Sequence, residues 1–222
     1  KGGIRIVTLA PELPGAHELI SWLTELGVIV SIGHTNASYE EAKAAIAAGA
    51  RRATHLFNAM TPIHHRKPGA VIACLEAPNV YLEIIADLVH VAGPLVRLVW
   101  QLVGTGRIVA ITDAIAAAGL PDGTYTLADQ PMRVEGGVAR LEDGRLAGST
   151  LPLAKNVQNL VALGVPIPDA LAMASSVPAR SIGLPDMGTI FPGALADLVV
   201  LDHDLRVKRT YIAGKLVFAA DP

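Results

Sequence analysis

"VIVSIGHTNASYEEAKAAIAAGARRATHLFNAM", residues 28–60, holds two short apolar runs, each followed by a histidine, with a helix-forming stretch between them. "VIVSI" (28–32) is continuous rather than alternating, as expected of a strand buried on both faces. Ser38 followed by Glu41 is a capping box, opening an alanine-rich helix that stops at Gly49. "ATHLF" (53–57) then reads as the next strand. Strand, helix and strand at this spacing make a βα unit of a parallel sheet. They also put His34 and His55 at matching places in successive units.

The same alternation extends both ways from this stretch. "IRIVTLAPE" (4–12) reads as a strand, and "HELISWLTELG" (17–27) as a helix with an apolar stripe at Leu19, Ile20, Leu23 and Leu26. "VYLEIIADL" (80–88) and "RIVAITDA" (107–114) are two more strands around the helical "AGPLVRLVWQLVGTG" (92–106). From Asp122 to Gly148, turn pairs at Asp122-Gly123, Gly136-Gly137 and Asp143-Gly144 mark a hairpin insertion. "STLPLAKNVQNLVALG" (149–164) returns to helix, with Ser149 or Thr150 as its cap, and a second helix covers about 168–176. Three closely spaced strands close the chain at 197–202, 206–212 and 215–219, the last pair joined at Gly214. Alone they bury little surface and need a partner layer. The expected division is 1–190 for an α/β portion and 191–222 for strands of a small β domain.

Composition narrows the function. The 222 residues are 51% hydrophobic, enough for a substantial core, and carry a net charge of −2. With no basic footprint and 4% aromatic residues, nucleic acid is not an expected partner. The single cysteine, Cys74, rules out an internal disulfide and fits a reducing compartment. Its apolar surroundings, "AVIACLEA", predict buried packing. No signal peptide or membrane-spanning run is visible, so a cytoplasmic protein without a membrane partner is expected. The chain enters "IRIVTL" almost at once from Lys1, without a Met, so upstream residues are expected.

In parallel α/β folds, barrels above all, catalytic groups gather past the C-terminal ends of the strands. Those ends here carry Glu12, His34, His55, the pair Asp87 and His90, and Asp113. Neutral imidazoles on adjacent strands suit a divalent ion. Asp113 suits a proton acceptor for water whose pKa such an ion lowers to about 7. Each has a plainer reading as well. A strand-end histidine can bond a carbonyl, Asp113 can cap a following helix, and Glu12 after Pro11 can buttress a turn. "HHRKPG" (64–69) is by default a solvated basic loop, although Arg66 and Lys67, following Asn58, suit a phosphate. The residues by themselves point to a metal-dependent hydrolase acting on an anionic substrate.

"TLAPE", "SIGHTNAS", "ATHLFNAM", "HRKPG", "ITDA", "LAGSTL" and "PARSIGLPDMGTIFPGALADLVVLD" occur in that order. From about Ile4 to Phe218 the chain resembles the N-acetylglucosamine-6-phosphate deacetylase family of the amidohydrolase superfamily. The resemblance implies a (β/α)8 barrel of TIM type, here partial, with part of a small β-sandwich domain at the C-terminal end. It implies deacetylation of N-acetylglucosamine 6-phosphate to glucosamine 6-phosphate and acetate, in amino-sugar catabolism or cell-wall recycling. By resemblance His34 and His55 match ligands of a divalent metal ion, zinc or iron, and Asp113 matches the general base. Asn58 and Ala59 match phosphate contacts, and Arg66 matches an arginine that reaches a neighbour's phosphate in a homodimer. The segment from Asp87 to His90 and the segment Leu146, Ala147 and Gly148 match substrate-binding stretches. Glu12 matches no ligand.

Two departures stand out. The family's acidic ligand in an "EGP" motif, its carbonyl-polarising histidine and its early "HxH" strand have no counterpart here. The chain is therefore expected to be a C-terminal portion, with five barrel strands and one side of the sandwich. In "ADLVH" (86–90), Leu88 stands where the family usually has glycine. The rival readings are another amidohydrolase acting on a cyclic amide or amine, and a catalytically silent sugar-phosphate-binding fragment.

Overall fold

The computed structural model describes residues 3–220. Residues 1, 2, 221 and 222, which the expected domain ranges include at their ends, lie outside the described residues. A parallel sheet contains β1 (Ile6–Leu9), β2 (Ile29–Ile32), β3 (Arg52–Ala53), β4 (Tyr81–Ile85) and β5 (Ile108–Ile111), side by side in that order. Thr8 stands opposite Ser31, Ser31 opposite Arg52, and Arg52 opposite Tyr81. The helices between are α1 (Ala16–Glu25), α2 (Tyr39–Ala48), α3 (Gly69–Glu76) and α4 (Gly93–Val103), the last followed by a 3-10 turn at Thr105–Arg107.

Local chemistry explains most of these limits. The capping box at α2 forms as expected: the Glu41 amide donates to Ser38 Oγ, and the Ser38 amide donates to the Glu41 carboxylate at 2.7 Å. α1 buries Ala16, Ile20 and Leu23, whereas Leu19 and Leu26 of the expected stripe are exposed, with Trp22 between them. The strand expected at 53–57 is shorter. Pairing ends at Ala53 because His55, Phe57 and Ala59 take positive φ, which no strand continues through. α3 was not expected. Six of its eight residues are buried, so apolar side chains surround it and no helical period is visible. Cys74 is buried within it, as expected, and Arg107 donates to the carbonyls of Cys74, Leu75 and Val80.

The described residues form two compact units, 3–84 with 98–109, and 85–97 with 110–220. The division passes through β4, α4 and β5. In the first unit, Ile20, Val30, Ile32, Leu56, Val71, Val80 and Leu82 are fully buried.

The second unit contains the expected insertion as an antiparallel meander of β6 (Gly123–Leu127), β7 (Gln130–Glu135) and β8 (Val138–Leu141). One face packs Met132, Val134 and Ala139 against Ala117. Two of the three turn pairs close loops, at Gly136-Gly137 and Asp143-Gly144. Gly123 instead begins β6, and the Asp122 carboxylate accepts from the amides of Gly136 and Gly137. The β6–β7 turn falls at Ala128-Asp129, both with positive φ. α5 (Leu153–Ala162) has Pro152 at its N-cap and no side-chain cap, so neither Ser149 nor Thr150 caps it. Ser149 Oγ accepts from the Leu151 amide, and Thr150 donates to the Gly137 carbonyl. α6 (Ile167–Met173) and α7 (Ser176–Ser181) replace the single helix expected at 168–176. The closing sheet of β9 (Leu198–Leu201), β10 (Val207–Ile212) and β11 (Lys215–Ala219) is antiparallel with β10 central. It leaves Val199, Leu216, Val217 and Phe218 about half exposed, consistent with its small burying power.

Candidate active site

The chain leaves β2 through β5 in an unusual way. Shortly after each strand a residue other than glycine takes positive φ: His34 (50°), His55 (32°), Leu88 (67°) and Asp113 (52°), with Phe57 and Ala59 doing so again in the β3 loop. Such backbone is costly for a residue with a Cβ, and it concentrates where function requires it.

In the first unit, His34 and His55 meet edge to face. Their ring centroids are 4.5 Å apart, and their Nε2 atoms 2.8 Å apart. His34 is exposed and His55 buried. Two Nε2 atoms this close either share one proton or turn both lone pairs to one cation. The His55 Nδ1 atom is buried without a hydrogen-bond partner. Just before His34, Gly33 lets the chain lie against Thr54 and Thr8, since a Cβ there would lie 2.8 Å from Thr54 Cβ and 2.9 Å from Thr8 Cγ2. Glu12 has the buttressing role: its carboxylate accepts from the Thr35 hydroxyl and, at 2.7 Å, from the Asn36 amide. The loops after β2 and β3 are joined by Thr35 N donating to Ala59 O at 3.0 Å and Thr61 N donating to Thr35 O at 3.3 Å.

Asn58 and exposed Ala59 lie in the same loop as His55, and the Asn58 amide group donates to the His55 carbonyl at 3.3 Å. Arg66 is exposed on the next loop, with Nη1 2.6 Å from His65 Nε2. Beneath His55 lies an ion pair that the sequence reading missed. Arg52 and Glu83 are paired, with side chains 4% and 12% exposed, and the Glu83 carboxylate also accepts from the His55 amide at 3.2 Å. The available signal was a charged residue inside each of two buried strands.

In the second unit, His90 Nδ1 lies 2.6 Å from Asp87 Oδ2, and Asp87 Oδ1 accepts from the amides of Val89 and His90, each at 2.9 Å. Burial pushes the Asp87 carboxyl up, but the ring and amide hydrogen bonds outweigh it and hold the group below its ordinary value. Leu88, between them, has the left-handed backbone that glycine adopts without strain.

Asp113 is exposed, and its carbonyl accepts from the Ser149 amide at 3.0 Å. No helix follows it before α5, so the helix-capping alternative falls. Gly148 (φ 118°) runs against it; a Cβ there would lie 2.9 Å from the Asp113 carbonyl and 2.7 Å from Ile115 Cγ2. Leu146 and Ala147 lead into this contact alongside β8, Leu146 bridging to Arg140 and the Ala147 amide donating to Ala139. The structure thus brings together His34 with His55, Asp87 with His90, and Asp113 with Gly148. Among the described residues no group of three or more His, Cys, Asp or Glu side chains is arranged to hold a metal ion. No helix among them is long and apolar enough to cross a membrane.

A parallel sheet with histidines and carboxylates just past its strand ends has the layout in which α/β folds, barrels among them, carry their sites. The amidohydrolase family model matches residues 1–217, and the chain belongs to that family. It is 42% identical over 216 residues to N-acetylglucosamine-6-phosphate deacetylase of Vibrio furnissii, covering 96% of this chain and 54% of that protein. It is 43% identical over 215 residues to N-acetylgalactosamine-6-phosphate deacetylase of Escherichia coli O157:H7, covering 96% of this chain and 57% of the relative. Among solved structures, it matches an aspartate-to-alanine mutant of the Mycobacterium smegmatis N-acetylglucosamine-6-phosphate deacetylase in complex with N-acetylglucosamine 6-phosphate. That match has a TM-score of 0.91 at 46% identity, over 96% of this chain and 57% of the other. The Thermotoga maritima N-acetylglucosamine-6-phosphate deacetylase matches with a TM-score of 0.93 at 40% identity, over 98% and 60%. The chain spans about half the length of the curated relatives it matches. The parallel sheet is therefore a portion of a TIM-type barrel, and the closing antiparallel strands fit a sandwich.

Proposed function

We propose that this protein removes the acetyl group from N-acetylglucosamine 6-phosphate, giving glucosamine 6-phosphate and acetate, within amino-sugar metabolism in the cytoplasm. The observation that carries the reading is the facing pair of Nε2 atoms on His34 and His55, 2.8 Å apart at the ends of adjacent strands. Support comes from relatives that act on N-acetylhexosamine 6-phosphates at 42% and 43% identity. The domain reading goes with it: 1–190 as barrel portion and 191–222 as sandwich strands.

His34 and His55 fit two places around a divalent ion, since both can turn an Nε2 lone pair to one point, and zinc and iron suit such ligands. When bound, such an ion supplies Lewis acidity and makes water a better nucleophile at neutral pH. The Asp113 carboxylate takes the proton lost by the attacking water and returns it to the amide nitrogen as acetate departs. Asn58 and Ala59 hold the phosphate, and the exposed Arg66 guanidinium serves the phosphate of a second copy in a homodimer. His90, its Nδ1 proton directed at Asp87, offers Nε2 to a sugar hydroxyl. Leu146, Ala147 and Gly148 line the sugar alongside Asp113.

Acetate release from N-acetylglucosamine 6-phosphate, its unphosphorylated sugar and a cyclic amide, each with added zinc or iron(II), tests the reading. Release from the phosphorylated sugar alone is expected. Equal turnover without the phosphate, or turnover of the cyclic amide alone, replaces this reading with another amidohydrolase activity. Sugar-phosphate binding with no acetate release under any metal leaves a silent binding module.

A further inference from the structure

We infer that Glu83 is a positioning residue for His55: through two acceptors it fixes the backbone that aims this imidazole at His34. The inference rests on the reading of His34 and His55 as a metal-binding pair. Arg52 and Glu83 sit on neighbouring strands, both charges largely withdrawn from water. Burying an ion pair costs desolvation on both sides, and apolar residues of the same size commonly serve stability as well or better. A pair retained here therefore calls for a second task.

The geometry supplies one. Glu83 accepts from the two amides that flank the His55 Cα. Its carboxylate takes His55 N at 3.2 Å, and its main-chain carbonyl takes Leu56 N at 2.8 Å. Between those two bonds the His55 backbone holds φ at 32°, a conformation it does not favour by itself. Arg52 occupies the other carboxylate oxygen and so orients the group. The imidazole leaves this clamp with Nε2 2.8 Å from that of His34. Partners that orient a metal-binding histidine typically change metal affinity 10- to 100-fold when lost.

The test compares two doubly substituted chains in which both charges of the Arg52–Glu83 pair are removed together. Arg52→Met with Glu83→Gln keeps an oxygen able to accept from the His55 amide; Arg52→Met with Glu83→Leu does not. Zinc affinity is measured by chelator competition on the full chain, below the melting temperature of every variant. The leucine form is expected to bind zinc about 10- to 100-fold more weakly than the glutamine form while melting no lower. A purely structural role predicts weaker binding only where melting falls too. Equal affinities overturn the inference while leaving the metal reading intact. Wild-type affinity that survives His34→Ala and His55→Ala overturns the metal reading, and this inference with it. If the neutral pairs fail to fold, Glu83→Asp keeps the charge beside Arg52 but draws the carboxylate back from the His55 amide. An affinity loss of about tenfold or more is then expected, and none overturns the inference.

Discussion

Asp113 stands exposed just past β5 with a left-handed backbone, and among the described residues no hydrogen bond fixes its carboxylate. Under the proton-carrying role proposed for it, replacing Asp113 by Asn is expected to lower acetate release roughly a hundred- to ten-thousand-fold with substrate binding largely kept. Single-turnover assays with an equilibrium binding measurement separate the two, and undiminished turnover removes Asp113 from the role. Asp87 has a different signature. Its folded pKa lies below the unfolded value, so its stabilising contribution is present above the unfolded pKa and fades as pH falls through the folded one. Urea midpoints followed from pH 7 down to pH 2 are expected to fall more steeply for wild type than for Asp87→Asn. Parallel curves would show that the carboxylate is not coupled to folding. Sequence exposed these residues because each follows an apolar run. It did not expose the Asp87 clasp on His90, which depends on a loop bringing a side chain back over its own amides. Nor did it expose Glu83, whose partner lies on a different strand.

At the level of single elements, backbone requirements decide what is tolerated. Gly33 is enclosed by Thr8 and Thr54, so Gly33→Ala is expected to destabilise by about 1–3 kcal/mol, read as a lower denaturant midpoint at unchanged slope. The β6–β7 turn runs in the opposite direction. Ala128 and Asp129 both hold positive φ in a two-residue turn, where Asn-Gly is the favoured pair. Ala128→Asn with Asp129→Gly is expected to stabilise by about 1 kcal/mol. A fall in melting temperature would mean that Ala128 and Asp129 make contacts beyond the turn. That turn was illegible because Ala-Asp is not one of the residue pairs that favour a two-residue hairpin turn. α3 was hidden for another reason: a helix enclosed on most sides needs no polar stripe. The capping box of α2, by contrast, is written in two residues and formed as read.

For the whole molecule, the parallel sheet was legible because its strands, and the helices α1, α2 and α4 between them, announce themselves through local pattern and need no long-range information. What neither pattern nor spacing decides is the sugar. Relatives at nearly the same identity are deacetylases of the glucosamine and galactosamine derivatives, which differ only at C4. Kinetics on both phosphorylated epimers are expected to favour N-acetylglucosamine 6-phosphate in kcat/KM, and a preference for the galacto epimer would reassign the substrate. Cys74 carries a further consequence. Burial pushes its thiol up to about 12, and three carbonyls around it are tied down by Arg107. With no other sulfhydryl in the chain, alkylation by iodoacetamide at mild pH becomes a clock for how often this part of the protein opens. Its ticking should quicken when Arg107 is replaced by Met, and should stay silent in the undisturbed protein on the time scale of an enzyme assay.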